Sequence, residues 1–142
     1  MMHRKRFIID TNILVSAALI RRSPPWQATT FIEKTGTILY SKATLAEFQS
    51  VLNRKKFNKY LTPEEKQQFI LKFIEKAELV AITETITDCR DPKDNKFLEL
   101  AISGSANFII TGDQDLLILH PFQTVNIITV NDFLNFHTKE SR

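Results

Sequence analysis

Four acidic residues stand at positions where carboxylates could do chemistry: Asp10, Glu47, Asp94 and Asp113. Asp10 ends the apolar run Phe7-Ile8-Ile9, and Asp113 closes the run Phe108-Ile109-Ile110 after Thr111 and Gly112. In open α/β sheets the working crevice lies outside the carboxyl ends of the strands, which is where these two acids fall. Asp94 begins a helical segment, and Glu47 lies one to two turns into another. Right-handed crossovers in a parallel sheet would bring all four to one edge. Carboxylates held that close repel one another and cannot all stay ionised without a cation. An all-oxygen ligand set favours Mg²⁺ or Mn²⁺ over zinc. His3, His120 and His137 lie in terminal or turn regions without metal-ligand spacing. Such a site suits phosphodiester hydrolysis, because the ions lower the pKa of water and neutralise charge on the phosphate and the leaving oxygen.

Each acid also has a plainer reading. Asp10 and Asp94 could simply cap the helices that follow them, a common task for Asp. Glu47 could be a solvated helix residue. Asp115 shares a turn with Asp113 and could take its place, whereas Asp88 and Asp91 read as loop and capping residues. The basic run Arg54-Lys55-Lys56, with Lys59 beyond it, reads as a solvated helix end or as a contact for a polyanion.

The elements that must position these residues follow from hydrophobic patterning. The uninterrupted run Phe7 to Ile9 suits a strand buried on both faces. A buried helix is expected over Ile13 to Ile20, and another starts at Pro24-Pro25, since Pro is tolerated in a first turn. Lys34-Thr35-Gly36 reads as a turn and Thr37 to Tyr40 as a second strand. Ser41 can cap a helix from Ala43 to about Phe57, with Leu45, Phe48 and Leu52 as its buried stripe. Thr62-Pro63-Glu64-Glu65 is a capping-box helix start, and Phe69, Ile70, Phe73, Ile74 and Ala77 continue it at helical spacing. Leu79 to Ile82 is expected as a strand. Asp94 opens a helix that buries Phe97, Leu98, Ala101 and Ile102. Strands follow at Asn107 to Thr111 and within Val125 to Val130, and Asn131-Asp132 opens a last helix over Phe133 to His137. Strands alternating with helices predict a three-layer α/β/α sandwich around a mainly parallel central sheet.

At 142 residues, the chain is expected to form one domain over 1–142, long enough to bury a proper core. The composition, 43% hydrophobic and 25% charged, is that of a globular protein. No apolar run approaches the roughly 18 residues of a membrane span. The single cysteine, Cys89, cannot form an internal disulfide, which agrees with a cytoplasmic setting. The formal charge is +3, and setting the four site acids aside leaves 19 basic residues against 12 acidic ones. That surplus is compatible with a polyanionic partner.

The residues then match a known pattern. The stretches Phe7-Ile8-Ile9-Asp10-Thr11-Asn12 through Ala17, Ser41 through Phe48, Val51 through Phe57, Cys89 through Ala101 and Ile110 through Leu117 occur in this order over nearly the whole chain. Together they resemble PIN-domain proteins of the VapC-like type, the toxin components of toxin–antitoxin systems. The resemblance implies an acidic site of Asp10, Glu47, Asp94 and Asp113 around Mg²⁺ or Mn²⁺. Asn12 and Thr111 would be polar supports and Asp115 an outer ligand. It further implies a parallel sheet with helices on both sides, a homodimer, single-stranded RNA as substrate, and a small antitoxin protein that blocks the site. Arg54, Lys55 and Lys56 would hold the RNA backbone.

The resulting expectation is a metal-dependent endoribonuclease, the toxin of a type II pair. The alternative is a non-catalytic RNA-binding or assembly protein on the same fold, since a fold alone does not fix activity. An Asp-nucleophile phosphotransferase would need a proton donor two residues after Asp10, where Asn12 stands. With glycine only at 36, 104 and 112, there is no Gly-rich phosphate loop.

Overall fold

The computed structural model describes residues 4–140. Five strands form one all-parallel sheet: β1 Arg6–Ile9, β2 Thr37–Tyr40, β3 Glu78–Leu79, β4 Phe108–Ile110 and β5 Asn126–Ile128. Their order is β3-β2-β1-β4-β5. The chain therefore winds outward from β1 to one side, then crosses back and winds outward on the other. The central strand β1 and its neighbour β4, paired Phe7↔Phe108 through Ile9↔Ile110, flank the switch point. A crevice opens at such a point because the connections leave to opposite faces.

Alternation along the strands divides the core in two. Phe7 and Ile9 of β1, Ile38 and Tyr40 of β2 and Ile110 of β4 share one cluster. It is covered by α1 Thr11–Leu19, α2 Pro24–Thr35, α3 Lys42–Leu52, α4 Pro63–Lys76 and α7 Val130–Glu140. Ile8, Leu39, Ile109 and Ile127 point to the opposite face, under α5 Asn95–Ser103 and the short α6 Gln114–Leu117. Burying each of these large side chains contributes roughly 1.5–3 kcal/mol. The result is the α/β/α sandwich with a parallel sheet that strand–helix alternation predicts. Gly36 lets β2 start beside β1: a Cβ there would sit 2.6 Å from Phe7 Cε1 and 2.9 Å from the Lys5 carbonyl oxygen.

Several boundaries differ from expectation for physical reasons. The first helix begins at Thr11, two residues early, because Asp10 itself caps it. The helix expected over Ala43 to Phe57 stops at Leu52. Asn53 and Arg54 leave helical geometry, and a separate 3-10 turn covers Lys55–Phe57. The ammonium of buried Lys66, on α4, donates to the Arg54 carbonyl at 3.3 Å and to Asn58 Oδ1 at 2.7 Å, fixing that break. Strand β3 spans two residues rather than Leu79 to Ile82. Val80 still donates its amide to Tyr40 at 2.8 Å, but β2 ends there, so Ala81 and Ile82 have no ladder to join. The last helix starts at Val130, and Thr129, whose hydroxyl accepts from the Asp132 amide at 3.1 Å, caps it in place of Asn131-Asp132. The Ser41 and Thr62 capping boxes form as the residue types require. Among the described residues no helix is long and apolar enough to cross a membrane. His3 and the side chain of His137 lie outside the described residues. His120 accepts the Ile127 amide at Nδ1, 2.9 Å away, in the turn that leads to β5.

Candidate active-site cleft

Asp10, Glu47, Asp94 and Asp113 line one cleft of about 370 Å³ at the carboxyl edge of the sheet, together with Thr11, Asn12, Arg54 and Lys93. The walls come from opposite faces: α1 and α3 on one side, α5 and the β4–α6 turn on the other. The switch point between β1 and β4 thus brings together acids that are more than a hundred residues apart in the chain.

Asp10 is held by both neighbours. Its backbone amide donates to Ile110 at 3.0 Å, extending the β1–β4 pairing by one residue. Oδ1 accepts the Ile13 amide at 3.0 Å as the N-cap of α1, and Oδ2 accepts the Thr111 hydroxyl. Burial pushes its pKa above the usual carboxylate range, and nearby Asp113 adds to the rise, against the hydrogen bonds from Thr111 and Ile13. Thr111 is fully buried and its Oγ1 also accepts the Asp113 amide at 3.0 Å. One hydroxyl thus ties the Asp10 carboxylate to the Asp113 backbone. Asn12 is exposed and lines the cleft.

The capping reading of Asp10 is correct as far as it goes, but it occupies one oxygen only. Asp113 likewise spends Oδ1 on the Asp115 amide, at 2.8 Å, capping α6. Asp94 differs. It occupies the N-cap position of α5 without making a capping bond, because a 3-10 turn, Pro92–Asp94, leads into the helix and is capped instead by Asp91. Asp94 Oδ2 is buried and has no hydrogen-bond partner. Burial, and after it repulsion from Asp113, raise the Asp94 pKa to about 6. A buried carboxylate oxygen without a donor is costly unless a proton or a cation reaches it.

Glu47 projects from α3, with both oxygens engaged. Thr11 donates its hydroxyl to Oε1, and Lys96 Nζ lies 2.7 Å from Oε2. Burial alone would raise its pKa, but the bonds from Lys96 and Thr11 and the charge of Lys93 bring it below the usual value. Thr11 and Lys96 are not singled out by sequence reasoning as site residues. The signal was available, since Thr11 follows Asp10 directly and Lys96 stands two residues after Asp94.

The remaining candidates separate. Arg54 lines the cleft, whereas Lys55 and Lys56 are exposed on the adjoining turn. Asp115 does not line the cleft; its Oδ1 pairs with Arg90 Nε at 3.2 Å, and its carbonyl accepts the Cys89 thiol at 3.6 Å. Asp88 is exposed in the loop.

The donor set fits a hard divalent cation. Every candidate ligand is a carboxylate oxygen, and Asp94 Oδ2 lacks any other partner. The acids line a common cleft without being closed on one point: among the described residues no three Asp, Glu, His or Cys side chains are already grouped as a metal-holding set. One of them, Glu47, is held by an ammonium.

Comparison with known proteins agrees with this architecture. The chain is 32% identical over 116 residues to the uncharacterized protein MJ1680 of Methanocaldococcus jannaschii, covering 80% of this chain and 74% of that protein. Its fold is similar to that of a chain of VapBC2 from Rickettsia felis, crystallised with a DNA fragment from their promoter, with TM-score 0.60 and 18% identity over 87% of this chain and 98% of that one. PAE2754 from Pyrobaculum aerophilum is also similar, with TM-score 0.61 and 14% identity over 92% of this chain and 88% of that one. At these identities the two structures establish likeness of fold. The PIN domain model matches residues 6–115, a span that contains all four acids of the cleft. The chain belongs to the PIN-domain family, whose members are typically nucleases.

Proposed function

We propose that the cleft is the active site of a metal-dependent endoribonuclease that hydrolyses phosphodiester bonds of single-stranded RNA. The observation that carries this reading is the convergence of Asp10, Glu47, Asp94 and Asp113 on one cleft, with Asp94 Oδ2 buried and unpartnered. Asp10, Asp94, Asp113 and Glu47 would hold Mg²⁺ or Mn²⁺, with Asp115 acting from outside through its turn. When bound, such an ion acidifies water and neutralises charge developing on the phosphate. Thr111 fixes the Asp10 carboxylate and the Asp113 backbone, so two of the ligands share one support. Arg54, at the cleft wall, is placed to meet a phosphate of the bound strand, with Lys55 and Lys56 supplying diffuse attraction beside it.

The fold likeness to VapBC2 further supports a place in a toxin–antitoxin pair, in which a small antitoxin protein covers the cleft. A homodimer acting in the cytoplasm completes the proposal. Cleavage of a mixed single-stranded RNA pool, by wild type and by Asp10→Asn, with Mg²⁺, with Mn²⁺ and with chelator, tests it. Cleavage that needs both the metal and Asp10 is the expected result. The absence of both metal binding and cleavage would sink the proposal in favour of a non-catalytic RNA-binding protein.

A further inference from the structure

Besides Arg54 and Lys93 in the cleft wall, a third cation, Lys96, is already bonded to one of the four cleft acids. It sits on the first turn of α5, two residues after Asp94, with its side chain one-fifth exposed. Nζ lies 2.7 Å from Glu47 Oε2 and also donates to the Lys93 carbonyl oxygen. The other Glu47 oxygen takes the Thr11 hydroxyl, so Glu47 is clamped between α1 and α5, across the mouth of the crevice. A carboxylate with both oxygens bonded and a full positive charge on one of them has little charge left for a second cation.

We infer that Lys96 is a positioning residue that sets the affinity of the cleft for its divalent ion, by occupying Glu47 in competition with it. The inference rests on the metal-site reading above. Three features of the geometry support it. First, the ammonium engages the one site acid that reaches the cleft from a helix interior, and the one with the longest side chain of the four. Second, Lys96 shares a helical turn with Asp94, so its charge bears directly on the acid whose Oδ2 lacks a partner. Third, the Lys93 carbonyl gives Nζ a second acceptor, which anchors the ammonium over Glu47. A merely structural ion pair would add rigidity and nothing else. A competing cation makes a prediction of opposite sign: its removal should tighten metal binding.

The test uses Mn²⁺ titration of the full chain, followed by calorimetry or by the electron-spin signal of free Mn²⁺, with no RNA present. Lys96→Gln should bind Mn²⁺ about 3- to 10-fold more tightly than wild type, the range expected for removing one partly screened charge. Lys96→Arg, which keeps the charge, should remain within about twofold of wild type, and it also reports whether the position tolerates change. In a Glu47→Gln background the Lys96→Gln effect should largely vanish, because the pair acts as a unit. Unchanged or weaker Mn²⁺ binding by a folded Lys96→Gln protein would overturn the inference while leaving the metal site standing. Wild type that binds no Mn²⁺ would overturn the metal site itself, and the inference with it.

Discussion

Thr111, just past β4, donates its hydroxyl to Asp10, just past β1, and the same oxygen accepts the Asp113 amide at 3.0 Å. One buried side chain thus joins the two strand ends that flank the switch point and orients the acids on each. Thr111→Val keeps the shape and removes both bonds. It leaves Asp10 Oδ2 without its donor, at an expected stability cost of about 1–3 kcal/mol. Activity should fall at least tenfold, while Thr111→Ser, which keeps the hydroxyl, should stay near wild type. Thermal unfolding and RNA cleavage of the two variants check this; equal behaviour of Val and Ser would show that packing, not the hydroxyl, matters.

Asp94 gives a pH dependence with a definite sign. Its pKa of about 6 in the folded chain lies above the ordinary 3.8. Between those values the native protein binds more protons than the unfolded chain, so this group's stabilisation is full below the unfolded pKa and lost as pH rises through 6. Asp10, also raised, acts in the same direction. Glu47 and Glu78, both lowered, oppose it only at the acid end, where their contribution is lost as pH falls through their folded values. Denaturant unfolding without added metal should therefore show Asp94→Asn to be the more stable protein at pH 7.5, by about 1 kcal/mol after allowance for solvent screening. The difference should shrink as pH falls toward 4. A constant difference across that window would exclude Asp94 as its source.

The turn after β4 holds two acids with different surroundings. Asp113 faces the cleft, while Asp115 is tied to Arg90 on the neighbouring loop. Asp113→Asn should reduce cleavage at least 100-fold, on the scale of losing a principal electrostatic group. Asp115→Asn should cost less than about tenfold and match Arg90→Ala, since each breaks the same pair. Its effect on stability should stay below about 1 kcal/mol, as for other exposed ion pairs. The reverse ranking would mean that Asp115 is the principal residue of this turn.

What sequence reasoning reads well here is whatever depends on local pattern. Phe7 to Ile9 reads as a doubly buried strand because no polar residue interrupts it, and Thr62 to Glu65 reads as a helix start because the reciprocal cap is written in four consecutive residues. The gathering of the four acids was also legible, because strand ends in a parallel sheet share one edge. The misjudged positions depend on tertiary contacts. The end of α3 is fixed by Lys66 from another helix, and the short β3 by where β2 stops. Asp94 looks like a cap in sequence, yet the preceding 3-10 turn takes over that task and leaves its carboxylate unspent. Lys96 stands close to Asp94 in sequence, but its pairing with Glu47, 49 residues away, is not written in any local pattern.

That same Lys66 leads to a prediction about the nucleic-acid grip. Arg54 reaches the cleft wall because the chain leaves α3 at Asn53, and Lys66 holds the Arg54 carbonyl and the Asn58 side chain on the far side of the break. If Arg54 meets a phosphate, Arg54→Ala should weaken RNA binding to a similar degree for every sequence. It should also make the dependence of log affinity on log salt shallower by about 0.7, the single-strand value for one contact. Lys55→Ala and Lys56→Ala, at positions outside the cleft, should change that slope by less. Lys66→Met should reproduce part of the Arg54→Ala loss without removing any exposed charge, because Lys66 is buried. Filter binding or fluorescence anisotropy over a salt series separates these outcomes. A slope unchanged by Arg54→Ala would place the phosphate contacts elsewhere on the basic surface.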